Sequence, residues 1–293
     1  MPPLDSWLIL KAVAAATGLV SVLATWLVVA NRYLRVKEDP RLDVVESMLP
    51  HTNCGACGFP GCRAFAQALI QGEAVPARCT VGTTDEQHRI AAYLGIEVGA
   101  AEKRVARLAC AGGNHVARHR AHYEGIGSCA AAALIAGGGK ACFWGCLGLA
   151  DCERACGFDA IEMDRHQLPV VSEDRCTACG DCVEACPKDL FSLHPIDDRL
   201  WVACASLASG DEILADCEVA CTGCGRCARD APGQITMKNN LPVIDYRQGP
   251  LSAAPTEHCP TGAIVWLDPQ LGAVKGHTAK KIIRESQTRD APT

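Results

Sequence analysis

An unbroken apolar stretch opens the chain. No charged residue occurs across residues 12–30, and Leu8, Ile9 and Leu10 carry the run back past Lys11. About 20 such residues suffice for a helix that crosses a bilayer, and Trp7, Trp26 and Tyr33 lie near its ends as interfacial anchors do. Arg32, Arg35, Lys37 and Arg41 follow the run while only Lys11 precedes it, which predicts that the remainder stays on the cytoplasmic side of a bacterial inner membrane. Asp5 stands where a signal peptide carries basic residues, and no small-residue cleavage site precedes the polar flank, so the helix is expected to be a retained anchor. Beyond it the pattern breaks into short pieces. Residues 63–69 read as helix, as do 116–123. Residues 160–163 with 168–171, and 235–237 with 241–244, read as short hairpins, the second turning at Asn239-Asn240. Residues 271–293 read as a polar tail, a surface helix or an unstructured end.

Composition changes the picture in one respect. The chain of 293 residues has 20 cysteines but only five Trp, four Tyr and five Phe, too few aromatics for one large core. Several small modules, each organised around something bound, fit better. A net charge of -5 leaves no basic stripe for nucleic acid, and 49% hydrophobic content excludes a disordered chain. Cytoplasmic cysteines stay reduced, so these are expected to be metal ligands rather than disulfides.

The first group is Cys54-Gly55-Ala56-Cys57-Gly58-Phe59-Pro60-Gly61-Cys62, with Cys79 returning after the predicted helix. Glycines between three close thiolates let the backbone wrap a compact cluster with its N–H groups toward sulfur, whereas structural zinc usually uses two distant C-x-x-C hooks. The segment resembles the small four-cysteine iron-sulfur domain shared by the Rnf complex B subunit and some corrinoid iron-sulfur proteins, with Thr80-Val81-Gly82 in place of Pro-Gly-Gly after the last cysteine.

Cys176, Cys179, Cys182 and Cys186-Pro187 match C-x-x-C-x-x-C-x-x-x-C-P, the bacterial ferredoxin run whose fourth cysteine ligates the other cluster. Pro187 is expected to help start a helix that carries this fourth cysteine away. An earlier half is present as Cys142, Cys146, Cys152 and Cys156. Crossed ligation then groups Cys176, Cys179, Cys182 and Cys156 on one cluster and Cys146, Cys152, Cys186 and Cys142 on the other. A second module follows with Cys221, Cys224 and Cys227, then Ala231 where a fourth cysteine would stand. Counting back from Cys259-Pro260 places Gly249, Ser252 and Pro255 at the other vacated positions. By the crossing rule these losses all fall on one cluster and leave Cys221, Cys224, Cys227 and Cys259 complete.

Cys110, Cys129, Cys204 and Cys217 remain. Cys129, Cys142 and Cys146 repeat the spacing of Cys204, Cys217 and Cys221, which suggests a repeat unit beginning upstream of each ferredoxin half. They read as buried free thiols; ligation of additional metal by some of them, with Cys217 as an alternative ligand in the last module, stays open. His115, His119 and His122 could hold zinc or haem on one helix face, although Arg118 and Arg120 among them suggest a solvated face. Residues 125–130 mimic a dinucleotide fingerprint without a preceding apolar strand.

The expected fold is therefore α+β: an anchor at 1–30, a four-cysteine [4Fe-4S] domain at 31–93, a Gly/Ala-rich linker region at 94–141, a two-cluster ferredoxin module at 142–196, a ferredoxin-like module retaining one cluster at 197–270 and a tail at 271–293. About four [4Fe-4S] clusters would pass single electrons, at potentials near the about -400 mV of ferredoxins. The whole order resembles the B subunit of the Rnf membrane complex. The resemblance implies an electron-transfer subunit of an ion-translocating ferredoxin:NAD oxidoreductase, one that docks reduced ferredoxin and works beside flavin-bearing and other membrane subunits. A redox adaptor for an iron-sulfur regulator, reverse flow supplying low-potential electrons, and purely structural clusters are the competing readings.

Overall fold

The computed structural model describes residues 6–34, 39–100 and 102–280. The apolar run forms one helix, α1 (Ser6–Leu34), whose 21-residue segment Val13–Tyr33 is long and apolar enough to cross a membrane. This segment is not buried against the rest of the protein. The hydroxyls of Thr17, Ser21 and Thr25 donate to the carbonyls of Val13, Thr17 and Ser21 at 2.7–2.8 Å. They are satisfied within the helix, as an apolar solvent demands.

The next unit packs α2 (Arg41–Ser47) on α3 (Cys62–Gln71), with α4 (Thr84–Leu94) closing it. The predicted helix at 63–69 lies within α3, and its Phe65, Ala66, Ala68 and Leu69 meet Leu42, Val45 and Leu49 in a small core. Thr83 and Glu86 form a reciprocal cap that fixes the start of α4.

The rest of the described chain is built twice. The first repeat comprises β1 (Arg104–Leu108), α5 (Cys129–Ala133), α6 (Asp151–Ala155), the hairpin β2 (Ile161–Met163) and β3 (Pro169–Val171), α7 (Asp181–Glu184) and β4 (Phe191–Pro195). The second comprises β5 (Leu200–Val202), α8 (Arg226–Asp230), the hairpin β6 (Ile235–Lys238) and β7 (Leu241–Ile244), α9 (Ala254–Glu257), β8 (Ile264–Asp268) and β9 (Gly272–Val274). β1 pairs antiparallel with β4, and β5 with β8. In each repeat a strand from upstream of the cysteines closes the module. Both predicted hairpins form, and Asn239 and Asn240 take the positive φ values, 49° and 64°, that such a turn needs.

Three local expectations differ from the fold. The region 94–141 is more than a linker, because β1 belongs to the first module's sheet and α5 carries a cysteine to it. Residues 116–123 are not helical; they run as isolated bridges, Ala117 with Cys217 and His119 with Lys140. No helix starts at Pro187, because α7 ends two residues before Cys186 and the chain turns directly into β4. In the tail, residues 272–274 add β9 to the edge of β8, and 281–293 lie outside the described residues.

The two repeats meet along β1 and β5. The Trp201 indole N–H donates to the Leu108 carbonyl at 2.8 Å, and the Ala111 N–H donates to the Ala203 carbonyl at 3.0 Å.

Candidate metal centres

Among the described residues, no three of His, Cys, Asp and Glu converge tightly enough to hold a single metal ion. The thiols stand instead around small cavities, the geometry that a polynuclear cluster requires and a tetrahedral zinc does not. His115, His119 and His122 form no such group either; His115 stacks against His166, ring centroids 3.8 Å apart.

In the first unit, Cys54 and Cys57 lie on the loop that leads into α3 and Cys62 opens that helix, and Cys57, Cys62 and Cys79 pack against the same core. The Asn53 side-chain oxygen accepts the Cys62 N–H at 2.8 Å and folds the loop back on itself. Burial pushes the Cys79 thiol up, and the nearby Cys57 and Cys54 add to the shift. All four predicted residues are brought to one place.

Cys156, Cys176, Cys179 and Cys182 line a cavity of about 310 Å³. The Ala160 N–H donates to Cys156 Sγ at 3.3 Å, and the Ala106 N–H, from β1, donates to Cys176 Sγ at 3.4 Å. Cys221, Cys224, Cys227 and Cys259 line one of about 360 Å³ in the second repeat. Gly180 and Gly225 precede α7 and α8 at φ 97° and 69°. The corresponding turn before α6 uses Ala150 at φ 64°, a conformation that strains a residue bearing Cβ.

The remaining ferredoxin set departs from expectation. A cavity of about 330 Å³ is lined by Cys129, Cys146, Cys152 and Cys186. The expected fourth member, Cys142, is turned away to face Cys110, Cys204 and Cys217. The cause is local. Leu149 stands where a C-x-x-C pair starting at Cys146 would place its second thiol, and a chain excursion supplies Cys129 in its stead. That excursion is pinched at its base, where the Ala141 N–H donates to the Arg118 carbonyl at 2.9 Å and the Arg120 N–H to the Gly139 carbonyl at 2.7 Å. The Asp151 carboxylate, beside Cys152, then ties it down by accepting the Ser128 hydroxyl and the Ala130 N–H, both at 2.9 Å. Cys142 meanwhile packs with Val116, Ala117, Ile213 and Cys217. The equivalence of Cys129 with Cys204 fails for the same reason: Cys110 follows β1 by two residues as Cys204 follows β5.

The donor set suits a strongly cationic guest. Burial, reinforced by neighbouring cysteines, pushes Cys146, Cys152 and Cys182 up to about 12, and Cys221 and Cys227 up to about 11. Left to themselves these thiols keep their protons at neutral pH. Iron would draw the protons off and compensate the buried thiolates.

Two family models match inside these units: "Putative Fe-S cluster" over residues 49–81 and "4Fe-4S binding domain" over residues 169–191. Over 260 residues the chain is 36% identical to the B subunit of the Na(+)-translocating ferredoxin:NAD(+) oxidoreductase complex of Acetobacterium woodii, covering 87% of this chain and 78% of that protein. It is 35% identical to the B subunit of the ion-translocating oxidoreductase complex of Methanosarcina acetivorans, covering 88% of this chain and 98% of that one. The chain belongs to the family of Rnf complex B subunits. As a member of that family it is a [4Fe-4S] electron-transfer subunit of a multi-subunit oxidoreductase, and α1 fits its membrane anchor. A third relative, from Clostridium ljungdahlii, is 37% identical over 80% of this chain and is a proton-translocating member. Relatives of similar identity thus carry different coupling ions in their names.

Proposed function

We propose that this chain accepts electrons from reduced ferredoxin on the cytoplasmic face of a bacterial inner membrane and relays them to flavin-bearing subunits of an Rnf complex. The relay's ligands are Cys54, Cys57, Cys62 and Cys79; Cys156, Cys176, Cys179 and Cys182; Cys129, Cys146, Cys152 and Cys186; and Cys221, Cys224, Cys227 and Cys259. Bound [4Fe-4S] clusters supply one-electron chemistry. The chain supplies buried thiolates, N–H groups aimed at sulfur, and fixed spacing between centres.

The observation that carries a relay, as opposed to separate structural clusters, is contact between adjoining centres. The Thr80 hydroxyl, next to Cys79, donates to the carbonyl of Thr177, next to Cys176, at 2.7 Å. This joins the membrane-proximal unit to the first ferredoxin module. The basic flank after α1 supports the cytoplasmic side.

The experiment is anaerobic extraction of tagged chain from native membranes in mild detergent, followed by an assay of NAD reduction with reduced ferredoxin. Activity with co-purifying flavin-bearing membrane subunits supports the reading. A lone chain whose clusters are reducible but which supports no such activity overturns it.

A further inference from the structure

Cys110, Cys142, Cys204 and Cys217 line a cavity of about 330 Å³, the size of the three cavities in the ferredoxin modules. We propose that these four residues bind a fifth [4Fe-4S] cluster, held between the two repeats and linking them. The inference rests on the reading that the other 16 of the 20 cysteines hold clusters.

The site is symmetric in its construction. Each repeat gives one cysteine two residues after its closing strand, Cys110 after β1 and Cys204 after β5. Each gives a second cysteine four residues before its first ferredoxin thiol, Cys142 before Cys146 and Cys217 before Cys221. The hydrogen bonds repeat as well. The Gly112 N–H donates to Cys110 Sγ and the Ser206 N–H to Cys204 Sγ, both at 3.4 Å. The Cys146 N–H donates to Cys110 Sγ at 3.4 Å, and the Cys221 N–H to Cys204 Sγ at 3.3 Å. A chance gathering of spare thiols would not reproduce four N–H···S contacts in two equivalent pairs. Such contacts stabilise sulfur carrying negative charge, as ligating thiolates do.

Charge points the same way. Lys140 lines this cavity at 7% exposure, an amine almost never buried unless compensated. Its Nζ donates to the carbonyls of Gly112 and Cys146, neutral acceptors that carry no opposite charge. Four thiolates around a cluster leave a net negative guest, and Lys140 is the counter-charge beside it.

The placement sets the order of the relay. Cys110 Sγ touches the backbone of Cys146, and Cys204 Sγ that of Cys221. The fifth cluster thus lies between the Cys129/Cys146/Cys152/Cys186 centre and the Cys221/Cys224/Cys227/Cys259 centre.

The test uses the full chain, purified anaerobically in detergent, with iron, acid-labile sulfide and zinc counted per chain. The wild type should hold about 20 iron atoms rather than about 16, four per cluster, a count that needs no variant. The double variant Cys142→Ala/Cys217→Ala should lose about four iron and four sulfide while a Cys221→Ala/Cys227→Ala control loses its own four. In parallel, Lys140→Met should lower the midpoint potential of the linking cluster, leaving the Cys54 and Cys221 centres unchanged in an EPR-monitored titration, and Lys140→Arg should restore it. A wild-type count near 16 with an unaffected Cys142→Ala/Cys217→Ala variant overturns the fifth site, as does zinc that disappears with that variant. Loss of no iron by the Cys221→Ala/Cys227→Ala control instead overturns the underlying cluster reading.

Discussion

Replacing Glu173 with Gln strands two arginines and probes how tightly the first ferredoxin centre is held. Arg107, on β1 and 8% exposed, donates to Glu173 Oε1 at 2.6 Å, and Arg199, 19% exposed, reaches Oε2 at 3.3 Å. Arg107 keeps one other acceptor, the Ile196 carbonyl at 3.3 Å. Removing one partner of a fully buried pair costs about 3–5 kcal/mol. Glu173 is 23% exposed, so water softens the loss to about 2–3 kcal/mol. At about 2–4 °C per kcal/mol, Glu173→Gln should melt about 4–12 °C below the wild type. The strain falls beside the centre, since Ala106 next to Arg107 donates to Cys176 Sγ. The assay is an anaerobic thermal ramp at fixed scan rate, following the visible absorbance of the clusters. Melting within about 1 °C of the wild type refutes the reasoning. A companion, Arg107→Met with Glu173→Leu, removes both charges and should recover at least half of the loss. If it melts as low as Glu173→Gln, packing and not a stranded charge is responsible.

Further outcomes follow from other sites. Phe65, 1% exposed and tilted against Phe59, should cost about 3–5 kcal/mol as Phe65→Ala and release the membrane-proximal cluster first on heating, read from iron loss against temperature. Asp151→Ala frees the segment bearing Cys129 and should make one cluster lose iron to a chelator several-fold faster, with the Cys221 centre unchanged. Cys259→Ala should remove about four iron per chain and leave the first module's spectrum intact. Burial, aided by neighbouring His166, holds the His115 ring below its usual value, and its buried Nδ1 has no partner. The unfolded chain therefore binds more protons just below pH about 6.5, so stability drops as pH falls through that region. His115→Phe should flatten the melting temperature between pH 7.5 and 5.5, about two units around that value.

Much of this molecule was legible where ligands are close in sequence. The C-x-x-C-x-x-C run at Cys176 declares its own geometry, and the hairpins follow from β-branched pairs around turn residues such as Asn239-Asn240. Legibility ended where a site draws on distant segments. Cys129 reaches its centre through an excursion pinned by Arg118 and Asp151, contacts that leave no periodic trace. Cys110 and Cys142 are separated by that same excursion while Cys204 and Cys217 are not, so the spacing that relates the two pairs is broken in one copy. Matching Cys129 with Cys204 followed from counting residues. The strands β1 and β5 give the true correspondence, because pairing rather than chain distance fixes which thiol emerges where. The short pattern at 116–123 failed for a related reason: after one turn closed on Gly113, its backbone bonds run to distant segments, to Asp216 and Glu218 across the repeat boundary and to Gly139 and Ala141 within the first repeat.

The pairing of β1 with β4 and of β5 with β8 makes each repeat a closed unit that begins before its first cysteine. A fragment cut at residue 142, where the cysteine motifs start, would leave β4 with an open edge and strip Ala106 and Leu108 from the core that Phe191 and Leu193 share. A fragment begun at residue 102 would keep its sheet but present Cys110 and Cys142 to solvent as an unfinished pair. Two such fragments could complete each other only by meeting face to face about a two-fold axis, each supplying the same two thiols. The fused chain thus behaves as a tethered dimer of unequal halves, in which the covalent link replaces the concentration that free halves would need to find each other.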